Sequence, residues 1–310
     1  MKTTFSTDEL WSSVLAVPPL ARTAGGDFAR DENRKIMQYL EAGGISTLLY
    51  GGNAVLYHIA LSEYAQLLAM LSELAAADTL VIPSAGPSYG MLLDQADILR
   101  DFDFPTMMIL PTTDVATKQG VGRAVRHFVE RLGKPAVLYI KNEAYIDVET
   151  VKELVDDGLI SFIKYAIVRE QTNDDPYLRD LAEEVDPAMI VSGIGEQPAI
   201  CHLRDFGLAS YTSGCVCVAP YLSMKMLRAL RAKDYESAEE IRQQFESLEG
   251  LRNSINPIRV LHRAVSLAGI GETGPITPLL SDVHDRDLPR IEAAALALKD
   301  LELSTRPALK

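Results

Sequence analysis

The stretch Ile160-Ser161-Phe162-Ile163-Lys164-Tyr165-Ala166-Ile167-Val168 is an apolar run of strand length, broken by one lysine. An ammonium inside a parallel sheet costs several kcal/mol unless it is paired or gives up its proton. A lysine that gives up its proton is a nucleophilic amine, the group that condenses with a ketone to a Schiff base. The alternative is a lysine at a strand end, snorkelling to solvent or paired with an acid. About one strand-helix unit upstream, Ala136-Val137-Leu138-Tyr139 is a second apolar run, and it ends on a tyrosine.

Outward from these two runs the pattern repeats. Candidate strands fall at residues 13–17, 46–50, 79–83, 106–110, 136–140, 160–164, 189–192 and 208–212, with starts about 20 to 35 residues apart. Amphipathic helical segments lie between them. In 62–76, Leu67, Leu68, Leu71 and Leu74 recur at three- and four-residue steps, and Ser62-Glu63 supplies a cap and a first-turn acid. Segments 118–132 and 148–155 are similar. Eight such alternations predict an α/β fold of the closed (β/α)8 TIM barrel type. An open doubly wound sheet would be favoured by a phosphate-binding glycine loop after the first strand. Val17-Pro18-Pro19-Leu20 stands there instead, and Gly25-Gly26 lacks the fingerprint spacing. From about residue 232 only helices are read, at 235–248, 255–268 and 288–301, with Gly269-Ile270-Gly271 and Gly274-Pro275 breaking the path. The expected division is a barrel over 1–231 and a C-terminal helical extension over 232–310.

A chain of 310 residues fits a barrel plus an extension, since such barrels commonly take about 250 residues. The formal charge of −13, without a Lys/Arg stripe, argues against a nucleic-acid partner. An anionic substrate would need a local positive site. Cys201, Cys215 and Cys217 form no disulfide framework, so a reducing compartment is expected, with Cys215 and Cys217 as buried small side chains. Met1-Lys2-Thr3-Thr4 opens no secretory signal, and no segment nears the roughly 20 apolar residues of a membrane span. The expectation is a cytoplasmic protein without a membrane partner. His58, His127, His202, His262 and His284 are scattered without a ligand pair, so neither metal nor cofactor is expected.

Barrel active sites gather at the C-terminal ends of strands. Gly51-Gly52-Asn53, Tyr139, Lys164 and Tyr211-Thr212-Ser213-Gly214 all fall there. A glycine-rich turn after strand two, a tyrosine ending strand five and Ile-Lys on strand six resemble, in that order, the dihydrodipicolinate synthase/N-acetylneuraminate lyase family of class I aldolases. The resemblance runs from about Val14 to Pro278 and includes Gly274-Pro275-Ile276-Thr277-Pro278. It implies a barrel with C-terminal helices, a homo-oligomer (tetramer or dimer), a Schiff-base lysine matching Lys164 and a proton-relaying phenol matching Tyr139. Where family members carry a hydroxyl-bearing turn that grips the keto-acid carboxylate, this chain has Gly51-Gly52-Asn53-Ala54-Val55. Backbone N–H groups of Gly52 and Asn53, with the Asn53 amide, remain able to bind an anion. Thr113 stands where dihydrodipicolinate synthase supplies a tyrosine across a subunit interface, and Ala144 lies near the position of its arginine. Dihydrodipicolinate synthase itself is therefore disfavoured. Tyr139-Ile140-Lys141-Asn142-Glu143-Ala144 and Tyr211-Thr212-Ser213-Gly214 are similar to segments of the keto-deoxyglucarate dehydratase branch, although Tyr165 replaces the acid that commonly follows the lysine there.

The resulting expectation is a Schiff-base-forming lyase, aldolase or dehydratase, acting on a short 2-keto acid or deoxy-keto sugar acid. Lys164 and Tyr139 are its candidate catalytic residues. Gly52, Asn53, Thr113, Lys141, Thr212 and Ser213 are its candidate substrate contacts. The competing class is a non-catalytic barrel that binds a small molecule or serves as an interaction scaffold.

Overall fold

The computed structural model describes residues 1–112, 115–276 and 278–306. Its strands are β1 (Leu15–Ala16), β2 (Thr47–Leu49), β3 (Leu80–Ile82), β4 (Ser84–Ala85), β5 (Met108–Ile109), β6 (Ala136–Ile140), β7 (Ile160–Tyr165), β8 (Ile190–Ser192) and β9 (Ser210–Ser213). All pair in parallel, in the order β3-β2-β1-β9-β8-β7-β6-β5-β4. The two ends of that order are one stretch of chain, because only Pro83 separates β3 from β4. Proline has no N–H for the ladder and so divides the strand. Its carbonyl still accepts from Met108 N at 2.8 Å, which carries the ring across to β5. The sheet is thus a nearly closed barrel of eight staves, the third one broken, as the TIM-barrel reading predicts.

Every strand residue is buried, as expected for parallel strands packed on both faces. Helices Arg30–Ala42, Leu61–Leu74, Tyr89–Leu99, Lys118–Leu132, Val148–Asp156, Pro176–Glu184, Ala199–Asp205 and Pro220–Arg231 form the outer ring. The extension follows as Tyr235–Ser254, Pro257–Leu267 and Leu288–Thr305. The first of these outruns the sequence expectation of 235–248. Gly250 does not end it, because a glycine costs a helix interior only about 1 kcal/mol and buried Phe245, Leu248 and Leu251 carry the helix through. Asn256 then caps the next helix, its side-chain oxygen accepting from Ile258 N and Arg259 N at 3.1 and 3.0 Å.

The extension is bonded into the barrel. Glu302 accepts from Tyr221 N and Leu222 N at 3.0 Å each, capping the N-terminus of Pro220–Arg231. Arg22 N donates to Thr273 O at 3.0 Å. Among the described residues no helix is long and apolar enough to cross a membrane.

Candidate active site

Lys164 on β7 and Tyr139 on β6 are direct partners in the ladder, so both side chains rise from the same face of the sheet. The ammonium nitrogen Nζ lies 4.3 Å from the centroid of the Tyr139 ring. Its neighbour Tyr165 faces the opposite way, into the helical layer, where its hydroxyl donates to Asp175 at 2.6 Å. That alternation is the strand period, and it sends the lysine inward. Lys164 is only 5 % exposed, and among the described residues no carboxylate pairs with it. Burial lowers its pKa to about 7, helped by the positive charges of Lys141 and Arg252. The side chain therefore neither snorkels nor sits in an ion pair.

The two residues open into a cavity of about 230 Å³ at the barrel mouth. Its wall includes Gly52, Asn53, Tyr57, Lys141, Thr212 and Arg252, and no acidic residue among those described. In a chain with net charge −13, the charged side chains of this wall are thus all cationic among the described residues. The volume lies below the usual span of about 300–1,000 Å³ for ligand pockets, so the occupant is small. A wider groove of about 860 Å³ runs along helices Tyr89–Leu99 and Lys118–Leu132, but neither Lys164 nor Tyr139 reaches it. Among the described residues no group of three or more His, Cys, Asp or Glu is placed to hold a metal ion.

No family model matches the chain. A curated protein of Xanthobacter autotrophicus, a probable 5-dehydro-4-deoxyglucarate dehydratase, is 23% identical over 295 residues, spanning 92% of this chain and 95% of that one. Dihydrodipicolinate synthase from Bacillus clausii superposes with a TM-score of 0.82 at 20% identity, over 94% of this chain and 99% of that one. Sialic acid aldolase from Ruminococcus gnavus superposes at 0.83 with 13% identity, over 95% and 99% of the two chains. The same aldolase has also been solved as a catalytic lysine mutant. Over nearly its whole length the chain is similar to these proteins, and it shares their fold.

The positions at which this chain departs from the family pattern it resembles can now be placed. Gly52 and Asn53 line the cavity, but the Asn53 side chain is partly committed: Nδ2 donates to Val17 O at 2.9 Å. The Asn53 carbonyl meets His262 Nε2 at 2.9 Å. Burial lowers the His262 pKa to about 4, so the ring is neutral and donates from Nε2 to that carbonyl. Lys141 and Thr212 are in the wall, whereas Ser213 is not. Strand alternation turns Ser213 outward, where its oxygen accepts from Val216 N at 2.9 Å and bonds Glu196. Thr113 lies outside the described residues.

Two wall residues carried no signal in the sequence. Tyr57 follows the Gly51-Gly52-Asn53 turn on a short 3₁₀ segment, Leu56–His58, after Val55 takes a left-handed φ of 56°. A β-branched residue in that region is rare and marks a turn imposed by its surroundings. Burial pushes the Tyr57 pKa up to about 12. Burial, with Tyr57 nearby, also raises that of Tyr139, so both hydroxyls stay protonated and able to donate. Arg252 comes from the last turn of Tyr235–Ser254, beyond the end expected for that helix at residue 248.

Proposed function

We propose that this protein is a class I lyase that forms a Schiff base between Lys164 and a short 2-keto acid or deoxy-keto sugar acid. The observation that carries the reading is an unpaired, buried lysine beside a tyrosine in an acid-free, cation-lined cavity. The neutral amine attacks the keto carbon, Tyr139 protonates the forming alkoxide and takes a proton from the attacking nitrogen, and a second donation from Tyr139 lets the hydroxyl leave as water, giving the iminium and a phenolate. The iminium then withdraws electrons from the adjacent carbon. Either the Tyr139 phenolate takes the proton of the hydroxyl on the next carbon and the carbon–carbon bond breaks with release of an aldehyde, or the phenolate takes a proton from the carbon beside the iminium and returns it to the neighbouring hydroxyl, which departs as water. The similarity to a probable dehydratase, and a fold shared with sialic acid aldolase, support both outcomes. A pKa of about 7 leaves a sizeable share of the amine neutral near physiological pH. Gly52 and Asn53 backbone N–H groups would hold the carboxylate beside the keto carbon, with Lys141 and Thr212 as further contacts.

Borohydride added with pyruvate should fix a covalent adduct at Lys164, located by peptide mass spectrometry. No adduct across a panel of short keto acids would refute the Schiff base, and ligand-dependent stabilisation without turnover would then favour the binding-protein reading. Tyr139→Phe should lower kcat about 100-fold or more while shifting KM little, the signature of a lost proton donor. A change in KM alone would remove that role.

A further inference from the structure

We infer that Arg252, supplied by the C-terminal extension, recognises a second anionic group at the far end of the substrate and so selects keto diacids over keto monoacids. The inference rests on the Schiff-base reading of the same cavity. Glu249 and Arg252, three residues apart, lie on one side of helix Tyr235–Ser254. That side faces the turns that follow β8 and β9, and both turns lack side chains where the helix meets them. A Cβ on Gly195, whose φ of +100° lies in the region that favours glycine, would collide with Glu249 Oε1. A Cβ on Gly214 would lie 2.5 Å from an Arg252 guanidinium nitrogen. Glycines on two separate loops thus make room for the two side chains, Gly195 for Glu249 and Gly214 for Arg252.

The guanidinium is buried, with the residue 8 % exposed, yet its hydrogen bonding is incomplete. Nε donates to Pro257 O at 3.2 Å, and Nη1 lies 3.8 Å from Cys215 Sγ. Among the described residues no carboxylate stands within the 4.0 Å of an ion pair. Glu249 and Glu196 act on Arg252 through their charge, and each spends one oxygen on another partner and keeps the second buried and unbonded. Glu249 accepts from Glu196 N at 2.8 Å, and Glu196 accepts from Ser223 Oγ at 2.8 Å. Burial raises the pKa of both acids and Glu196 raises that of Glu249 further, while the charge of Arg252 pulls both down. What remains is a buried cation on the cavity wall with free donors. A carboxylate satisfies that geometry through paired N–H···O bonds.

Its place in the barrel makes it the distal contact. Gly52 and Asn53 follow β2, Lys164 ends β7, and Arg252 sits over the turns after β8 and β9, on the other side of β1 from the Gly52 turn. A keto acid joined to Lys164 with its first carboxylate at Gly52 and Asn53 directs its remaining chain past β8 and β9.

The test compares 2-oxoglutarate with 2-oxopentanoate, acids of one chain length that differ in the terminal carboxylate. Trapping by borohydride at Lys164 is followed by intact mass, and half-saturating concentrations are measured for wild type and Arg252→Gln. Wild type should saturate with the diacid at about tenfold lower concentration or less, a charge-assisted pair being worth roughly that factor or more. In Arg252→Gln the ratio between the two acids should collapse toward unity, while Arg252→Lys should keep part of it. If the folded glutamine variant keeps the full preference, or weakens both acids equally, the assignment is overturned, the second result placing Arg252 on the carboxylate beside the keto carbon. Competition by glutarate and pentanoate against pyruvate trapping needs no variant: glutarate should compete better in wild type, and parity overturns the proposal. Pyruvate trapping itself separates the two levels, since its absence refutes the Schiff base whereas its presence without a diacid preference refutes only the role of Arg252.

Discussion

Lys164 has no counter-ion among the described residues, so its protonation should govern both reactivity and stability. The trapping rate with pyruvate should rise with pH through about 7 and then level off; a midpoint near 10 would mean that the amine is solvated in solution. The same shift has a thermodynamic sign. Its folded pKa of about 7 lies below the unfolded reference of 10.5, so the unfolded chain binds the proton more tightly. The penalty is complete below pH 7, where a charge is buried, and fades as pH rises from about 7 to 10.5. Lys164→Met should therefore stabilise the fold by a few kcal/mol at pH 6 in denaturant titrations, and the advantage should shrink toward pH 10. A gain independent of pH would point to packing instead. Lys164 and Tyr139 were legible in the sequence because a charge or a phenol in an apolar run is a local anomaly. Arg252 was not, because an arginine on an amphipathic helix is locally ordinary and its burial is set by glycines far away in sequence. Ser213 shows the converse: a hydroxyl in a suggestive motif, turned outward by the strand period.

At the scale of elements, strand existence could be read almost throughout, since each buried run between polar segments became a stave. The break at Pro83 and the end of helix Tyr235–Ser254 could not. Both depend on what lies opposite: β2 and β5 bridge the break, and the buried face around Leu251 sustains the helix past Gly250. That last turn brings Glu249 against the backbone of Gly195. Gly195→Ala should consequently cost about 2–4 kcal/mol, combining an unfavourable left-handed φ with displacement of the Glu249 carboxylate. Combining it with Glu249→Ala should recover part of the loss, because the double variant no longer has the clash. A coupling of about 1 kcal/mol or more in the double-mutant cycle is expected; strict additivity would show that the helix does not press on this turn.

Over the whole molecule, the extension acts as part of the barrel mouth, because it supplies Arg252 to the cavity wall and His262 to the Asn53 carbonyl. Composition marks a change near residue 232, where strands cease, and a boundary at 231 follows naturally from it. Composition does not reveal how strongly the two parts are joined. Glu302 closes the N-terminus of Pro220–Arg231, and Thr273 accepts from Arg22, so contacts reach from the last helix to the start of the chain. Removing these contacts would strand a buried histidine, two helix N–H groups and the apolar residues Phe245, Leu248 and Val260 without their cover. The barrel and the extension should therefore unfold together. Scanning calorimetry of the full chain should give one transition, with calorimetric and van't Hoff enthalpies in a ratio near one. A ligand that engages Arg252 and Lys164 together should raise that single transition as a whole, since it binds across both parts. Two resolved transitions, with only one responding to ligand, would mean that the region after residue 231 folds by itself and that the cavity is not held shut by it.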